Sequence, residues 1–297
     1  MARPIMVAVG GDSGTGKATL CAGLREIFGE DRCTEVRLDG YFGLNRAQRH
    51  AVGITALDPR AHDFAAMDED LTTLAHGGTI TKPVYDHQLG AIASVETVEP
   101  REIVLVQGLF PLYTGVLRAL FDVSVWLEPD PELKLAWTMH RDITERGYRE
   151  EQVRAELERR RADYERYIAP QAAHADIRAS FGRRVVTFHK NGRLAPLDYR
   201  DFASESTRIR LVDDAPGPYP RSIIEVDADI DDATARAIAD AIWNHIGTRH
   251  ASSRPERLGT HSTAGGVAVS HALALTQLLV ARRIGLVADQ LSVAISV

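Results

Sequence analysis

Cysteine is nearly missing from this sequence: Cys21 and Cys33 are the two among 297 residues. Two thiols exclude a disulfide framework and, unaided, a metal cage. They read as buried apolar groups in a reducing compartment. A surplus of positive charge is missing as well, because 35 Lys and Arg stand against 41 Asp and Glu for a formal charge of -6. That balance excludes a general nucleic-acid binder, which needs a basic face, and still leaves room for a local basic pocket. No apolar h-region with a cleavage site opens the chain, where Met1-Ala2-Arg3-Pro4 leads directly into a strand-like run. The longest apolar stretch, Ala264 to Val280, contains Ser270, His271, Thr276 and Gln277 and runs on toward Arg282-Arg283. It predicts an amphipathic packing helix and not a membrane span. Internal repeats and low-complexity blocks are absent. The expectation is a cytoplasmic protein with neither nucleic acid nor membrane as partner.

What is there is globular: 44% hydrophobic and 26% charged residues are the proportions of a folded domain, long enough to bury a full core. Ile5-Met6-Val7-Ala8-Val9 is continuously apolar, as a strand buried on both faces should be. Lys17 to Phe28 puts Leu20, Leu24, Ile27 and Phe28 on one helical face, and Gly29 stops it. Thr34 to Leu38, Ile103 to Val106 and Val123 to Leu127 are further strand candidates. Met67, Leu71 and Leu74 stand at helical spacing, and Asp130 to Thr144 and Glu150 to Tyr167 are helix candidates. This alternation predicts an α/β fold, a mainly parallel sheet with helices on both faces. Val185 to His189 and Ile209 to Val212 read as edge strands, and Asp231 to Ile246 as a helix. A Gly-, Ser- and His-rich stretch, Gly247 to Gly266, then precedes a last helix from Val267 to about Leu286. The simplest division is a catalytic domain over 1–248, a linker over 249–266 and a C-terminal helical appendage over 267–297. That helix, with Leu273, Leu275, Leu278 and Leu279, has an apolar face for its own domain or for a second subunit, so a homo-oligomer stays open.

Gly11-Asp12-Ser13-Gly14-Thr15-Gly16-Lys17 fits G-x-x-x-x-G-K between that first strand and that first helix. Glycines let the backbone turn tightly, so successive N–H groups converge on phosphate oxygens. The helix N-terminus adds the positive end of its dipole, and Lys17 adds a full charge. The expectation is a P-loop NTPase fold with ATP as cofactor, held by Gly11 through Lys17, with Ala18 and Thr19 in the first helical turn. Ala18 departs from the motif, whose next residue is a Ser or Thr that ligates Mg²⁺. A methyl group ligates no metal, and Thr19 projects about 100° further round the helix.

Six further segments follow the loop in order. They are Leu38-Asp39-Gly40-Tyr41-Phe42, Thr55-Ala56-Leu57-Asp58-Pro59-Arg60-Ala61 with Asp63-Phe64, and Lys82-Pro83-Val84-Tyr85-Asp86-His87. Gln107-Gly108-Leu109-Phe110-Pro111, Arg141-Asp142-Ile143-Thr144-Glu145-Arg146-Gly147 and Tyr167-Ile168-Ala169-Pro170-Gln171 complete the set. Behind the phosphate loop, they resemble the phosphoribulokinase and uridine kinase family of P-loop kinases, leaning toward phosphoribulokinase. The resemblance implies an ATP-dependent kinase that phosphorylates a hydroxyl of a pentose phosphate or related sugar, with Mg²⁺ expected of the family. It implies that Asp39 accepts the proton of the attacking hydroxyl, in agreement with a carboxylate just beyond the second strand, where open α/β sheets bind ligands. It places Tyr41, Arg46, Tyr85 and His87 at the sugar phosphate, and Lys17, Arg141, Asp142 and Arg146 at the transferring phosphoryl group. The plainer reading of the last three is an exposed helix end with Arg141 paired to Glu145 at i,i+4. Arg159-Arg160-Arg161 reads most simply as a solvated helix face.

The sequence also departs from the family. Gln107 stands where the family has a glutamate that partners the metal, and a neutral amide binds Mg²⁺ far less well. Phe42 and Phe110 replace two histidines, and Thr138 replaces a lysine. Thr15 stands where the plant form has a redox cysteine. Ala18 and Gln107 together remove both anchors of the usual Mg²⁺ site, so the metal residues stay unassigned. Two alternatives follow: a nucleotide- or sugar-phosphate-binding protein with weak or lost kinase activity, and a uridine kinase-like nucleoside kinase.

Overall fold

Ile5, Val7 and Val9 face one core and Met6 and Ala8 the other, as alternation along a strand requires. All of β1 (Ile5–Gly10) is buried. The computed structural model describes residues 3–144, 146–180, 186–189, 210–214, 221–225, 230–246, 255, 258–263 and 266–295. After β1 come α1 (Lys17–Phe28), β2 (Cys33–Arg37), α2 (Arg46–Ala51), α3 (Phe64–Ala75) and the hairpin β3 (Ile80–Asp86) and β4 (Ala91–Val98). Then follow β5 (Ile103–Gly108), α4 (Gly115–Leu120), β6 (Val123–Leu127), α5 (Pro131–Thr144), α6 (Glu150–Asp163) and β7 (Ile177–Ala179). The chain continues through β8 (Val186–His189), β9 (Arg210–Asp214), β10 (Arg221–Glu225), α7 (Asp232–Ile246), β11 (Thr260–Thr263), β12 (Gly266–Val269) and α8 (His271–Ile295).

The main sheet has the order β2-β5-β1-β6-β7-β8-β10-β9. Its first five strands are parallel, and β8, β10 and β9 extend it antiparallel. This is the expected P-loop α/β fold, and the two expected edge strands fall within the antiparallel extension. On one face, Leu24 of α1, Ile238 and Ile242 of α7, and Leu278 and Ile284 of α8 close over Val7 and Val125. On the other, Met67 and Leu71 of α3 and Leu117 of α4 pack with Val104, Val106 and Trp126. Register brings the carboxyl ends together: Val9 pairs with Gln107, Gly10 with Gly108, and Arg37 with Gln107. Loops leaving those ends build the site.

The C-terminal helix is present, and its start differs from the expectation. Val267 to Val269 form the second strand of a hairpin, with Val267 paired to Ser262 and Val269 to Thr260. The helix begins only after Ser270, whose Oγ accepts the Leu273 N–H at 3.3 Å and whose N–H bonds to Gly259 O at 2.9 Å. Of the expected linker, residues 249–254, 256–257 and 264–265 lie outside the described residues. Helix α8 is long and apolar enough to cross a membrane by composition, but Leu275, Leu278, Leu279, Val280 and Ile284 are buried against α1, α7 and the sheet.

Helices α1 and α8 meet at Gly23, where a Cβ would run into the amide of Gln277, a side chain only 2% exposed. Overpacking there has no flexible surface to relax into. Gly23→Ala is expected to lower stability by about 1–3 kcal/mol, read as a lower denaturant midpoint at unchanged slope.

Candidate functional site

The loop between β1 and α1 turns on glycines in the left-handed region, Gly14 at φ 81 and Gly16 at φ 88. A Cβ on Gly14 would collide with the Thr138 hydroxyl. The Lys17 ammonium donates to Gly11 O at 2.9 Å and to Asp12 O at 2.7 Å, so it lies over the loop. Burial pulls its pKa down to about 8, against the opposing charges of Asp39 and Asp12. Thr138 Oγ is buried without a partner. It packs against Gly14, behind the loop.

Asp39 stands on a single helical turn, Leu38–Tyr41, directly after β2. Gly40 of that turn lies so close to Pro83 O of β3 that a side chain would not fit. This approach brings Asp39 Oδ2 within 3.2 Å of His87 Nε2. Burial raises the Asp39 carboxyl, but the His87 hydrogen bond and the charges of His87, Lys17 and His62 outweigh it and hold the pKa at about 2. Asp39 is therefore an ionised acceptor throughout the physiological range.

Helix α2 opens on a capping box, Asn45 Oδ1 accepting from Gln48 N at 2.9 Å and Gln48 Oε1 from Asn45 N at 2.8 Å. The fixed short helix sets Arg46 and Arg49 one turn apart. Arg46 donates to His87 O at 2.6 Å. Arg49 is buried, donates to Leu44 O at 2.6 Å and the Tyr85 hydroxyl at 3.1 Å, and lies 4.3 Å from the Phe42 ring centroid. It is held by a carbonyl, a hydroxyl and aromatic rings. A buried guanidinium in that setting favours a ligand anion.

Helices α5 and α6 cover the loop. Asp142 accepts from Arg141 at 2.8 Å and pairs with Arg146 at 3.1 Å. Burial, then the neighbouring Arg141 charge, lowers the Arg146 pKa. The Asp12 carboxylate takes Lys134 of α5 at 2.5 Å and Arg160 of α6 at 3.2 Å. One cavity of about 1450 Å³ is lined by the loop, Asp39, Arg46, Arg49, Tyr85, His87, Arg141, Asp142 and Arg146.

The residues at the family's metal position do not fit a divalent ion. Ala18 offers a methyl group. The Gln107 amide donates to Glu35 Oε1 at 2.6 Å, and Glu35 also binds Arg25 and Arg37. Burial opposes the Glu35 charge, but the bonds from Arg37, Gln107 and Arg25 hold its pKa below the usual value. Among the described residues no group of three His, Cys, Asp or Glu is placed to hold a metal.

A parallel sheet, a glycine loop and a basic lid define a P-loop kinase fold. Residues 6–187 match the Phosphoribulokinase / Uridine kinase family, and the chain belongs to that family. It is similar to the phosphoribulokinase of Synechocystis sp., 42% identical over 175 residues that cover 59% of this chain and 53% of that protein. It is also similar to a uridine kinase of Clostridium perfringens, 33% identical over 159 residues that cover 52% of this chain and 75% of that protein. A solved phosphoribulokinase from Rhodobacter spheroides shares the fold, with a TM-score of 0.59 at 18% identity over 82% of this chain and 96% of that one. The chain spans about half the length of the curated phosphoribulokinases it matches.

Most of the expected site residues meet in one cavity; Gly11, Asp12 and Tyr41 do not line it. Tyr41 is 1% exposed and gives its hydroxyl to Asp70 at 2.9 Å, so it is a core residue and not a substrate contact. Asp12 belongs to the loop through its backbone, while its side chain is spent on Lys134 and Arg160. Glu145 lies outside the described residues. Arg160 is no solvated face residue, since it reaches the loop. The sequence reading missed Arg49, Lys134 and Glu35, and took Arg160 as a solvated face.

Gln107→Glu would set a second carboxylate against Glu35. The pair raises a carboxyl pKa in the folded state, so the penalty acts above that pKa and fades as pH falls. The expected outcome is a loss of about 1–3 kcal/mol at neutral pH, shrinking on acidification in thermal melts across pH. A pH-independent loss would contradict the Glu35 contact.

Proposed function

We propose that this protein is an ATP-dependent kinase that phosphorylates a hydroxyl of a pentose phosphate or a related phosphorylated sugar. The observation that carries the reading is one cavity holding both Lys17 of the phosphate loop and the Asp39–His87 pair, with Arg46 and Arg49 beside them. Asp39 takes the proton of the acceptor hydroxyl, whose oxygen attacks the terminal phosphorus. The bond to the bridging oxygen breaks and ADP leaves. Lys17, Arg141 and Arg146 meet the charge of the transferring group. Arg46 and Arg49 take the acceptor's own phosphate. His87 orients Asp39 and keeps it ionised. Phe42 lines the acceptor side, which supports an acceptor less polar there than ribulose 5-phosphate. Phe110 is buried behind it among His62, Phe64 and Tyr113.

A second reading, a nucleotide- or sugar-phosphate-binding protein with weak or lost transfer, is favoured by one observation: the Gln107 amide is committed to Glu35 where the family binds metal. Calorimetric titration with ATP, with and without Mg²⁺, beside an ADP-release assay over pentose phosphates and nucleosides, separates the two. ATP affinity is expected to change little with Mg²⁺; ADP release with a phosphorylated pentose supports the kinase, and none with any acceptor supports the binding protein.

Asp39→Asn is expected to lower kcat by about 10²–10⁴ with ATP affinity unchanged; an unaltered kcat would remove Asp39 as the base. Lys17 loses its proton at about 8 in the free protein, so its charge is present below that pH and lost above it. Affinity for ATP is therefore expected to fall as pH rises past that value, and a titration series flat across it would contradict Lys17 as a phosphate ligand.

A further inference from the structure

Past the phosphate loop the cavity continues between α5 and the C-terminal elements, where Leu133, Trp137, His261, Ser270 and Leu273 line it. The last three stand beyond residue 187, where the family match stops. None of the five has a part in the transfer chemistry above.

Sheet order fixes which end of a nucleotide this region meets. Asp39 follows β2, on one side of β1, while α5 follows β6, on the other, and the loop leaves the end of β1 between them. A nucleoside triphosphate is a linear sequence of base, ribose and phosphates. With its terminal phosphate presented to Asp39, its base extends toward the β6 side. There the Trp137 indole stands beside the last loop glycine, 3.8 Å from where a Gly16 Cβ would be. An indole lining the cavity on that side of the loop suits base stacking, and Ser270 and His261 bring polar groups suited to a base edge or a ribose.

The C-terminal wall is tied to the phosphate-loop helix by one amide. Gln277, 2% exposed, donates from Nε2 to Thr19 O at 3.1 Å and accepts at Oε1 from Gly259 N at 2.8 Å. Gly259 O in turn accepts the Ser270 N–H at 2.9 Å, and His261 Nδ1 lies 3.3 Å from the same carbonyl. The hairpin, the start of α8 and the first turn of α1 therefore hold a fixed relation around the cavity.

We propose that the nucleoside end of the bound nucleotide lies between Trp137 and the β12–α8 junction, so that the C-terminal segment completes the nucleotide site and selects the base. The inference rests on the nucleotide reading of the phosphate loop. The test compares ATP with tripolyphosphate, which presents the phosphates without the nucleoside, by calorimetry on the full chain. Trp137→Leu and His261→Ala are expected to weaken ATP, the first by about tenfold for one lost stacked base, and to leave tripolyphosphate unchanged. In the wild type, adenosine and ATP are expected to alter tryptophan emission, and tripolyphosphate is not. Variants that bind ATP as the wild type does would overturn the inference while the loop reading stands. Equal weakening of both ligands would count against it, because a base contact spares the bare phosphates. Should Trp137→Leu fail to fold, the wild-type emission decides, and no response to adenosine or ATP overturns the proposal. A wild type that binds neither ATP nor tripolyphosphate removes the nucleotide reading itself.

Discussion

Everything in the site depends on the burial of β1 on both faces. A strand with Ile5, Val7 and Val9 in one core and Met6 and Ala8 in the other has to sit in the middle of a sheet. Parallel neighbours then follow, and their carboxyl ends converge on one edge. Val9, Arg37 and Gln107 are brought side by side by that register alone, before any side chain chooses a partner. The phosphate loop inherits its position from this constraint, and so does Asp39 one turn beyond β2.

The second layer is electrostatic. Cationic side chains gather over the loop from α1, α5 and α6, and such a cluster repels itself. Asp12 answers this from within the loop by holding Lys134 and Arg160, and Asp142 does so for Arg141 and Arg146. Buried charges are tolerated when paired and hydrogen-bonded. Arg46 and Arg49 are treated differently, with carbonyls, a hydroxyl and aromatic rings as partners. The lid charges are neutralised in place, whereas those near Asp39 stay available to an incoming anion.

The sheet core and the loop were legible in the sequence because each is local: a continuous apolar run, a glycine motif and a helix with one apolar face. Asp39, His87 and the Arg141–Arg146 cluster were legible only through ordered segments, since nothing local says that residues 39 and 87 meet. Tyr41 shows the limit of that method, because a segment match does not say which side of a turn faces the core. Arg49 and Glu35 were invisible for the same reason: an arginine on a short polar helix and a glutamate in a strand declare themselves only through the partners packing provides. The start of α8 was misplaced because Val267-Ala268-Val269 suits helix and strand equally, and only pairing with Thr260–Thr263 decides.

Glu35 makes position 107 selective for a donor. While Gln107 donates to Glu35, and Arg25 and Arg37 hold that carboxylate from other sides, an acid at 107 meets a charge already in place. The contact therefore favours, at position 107, a side chain that donates a hydrogen bond over one that carries a negative charge.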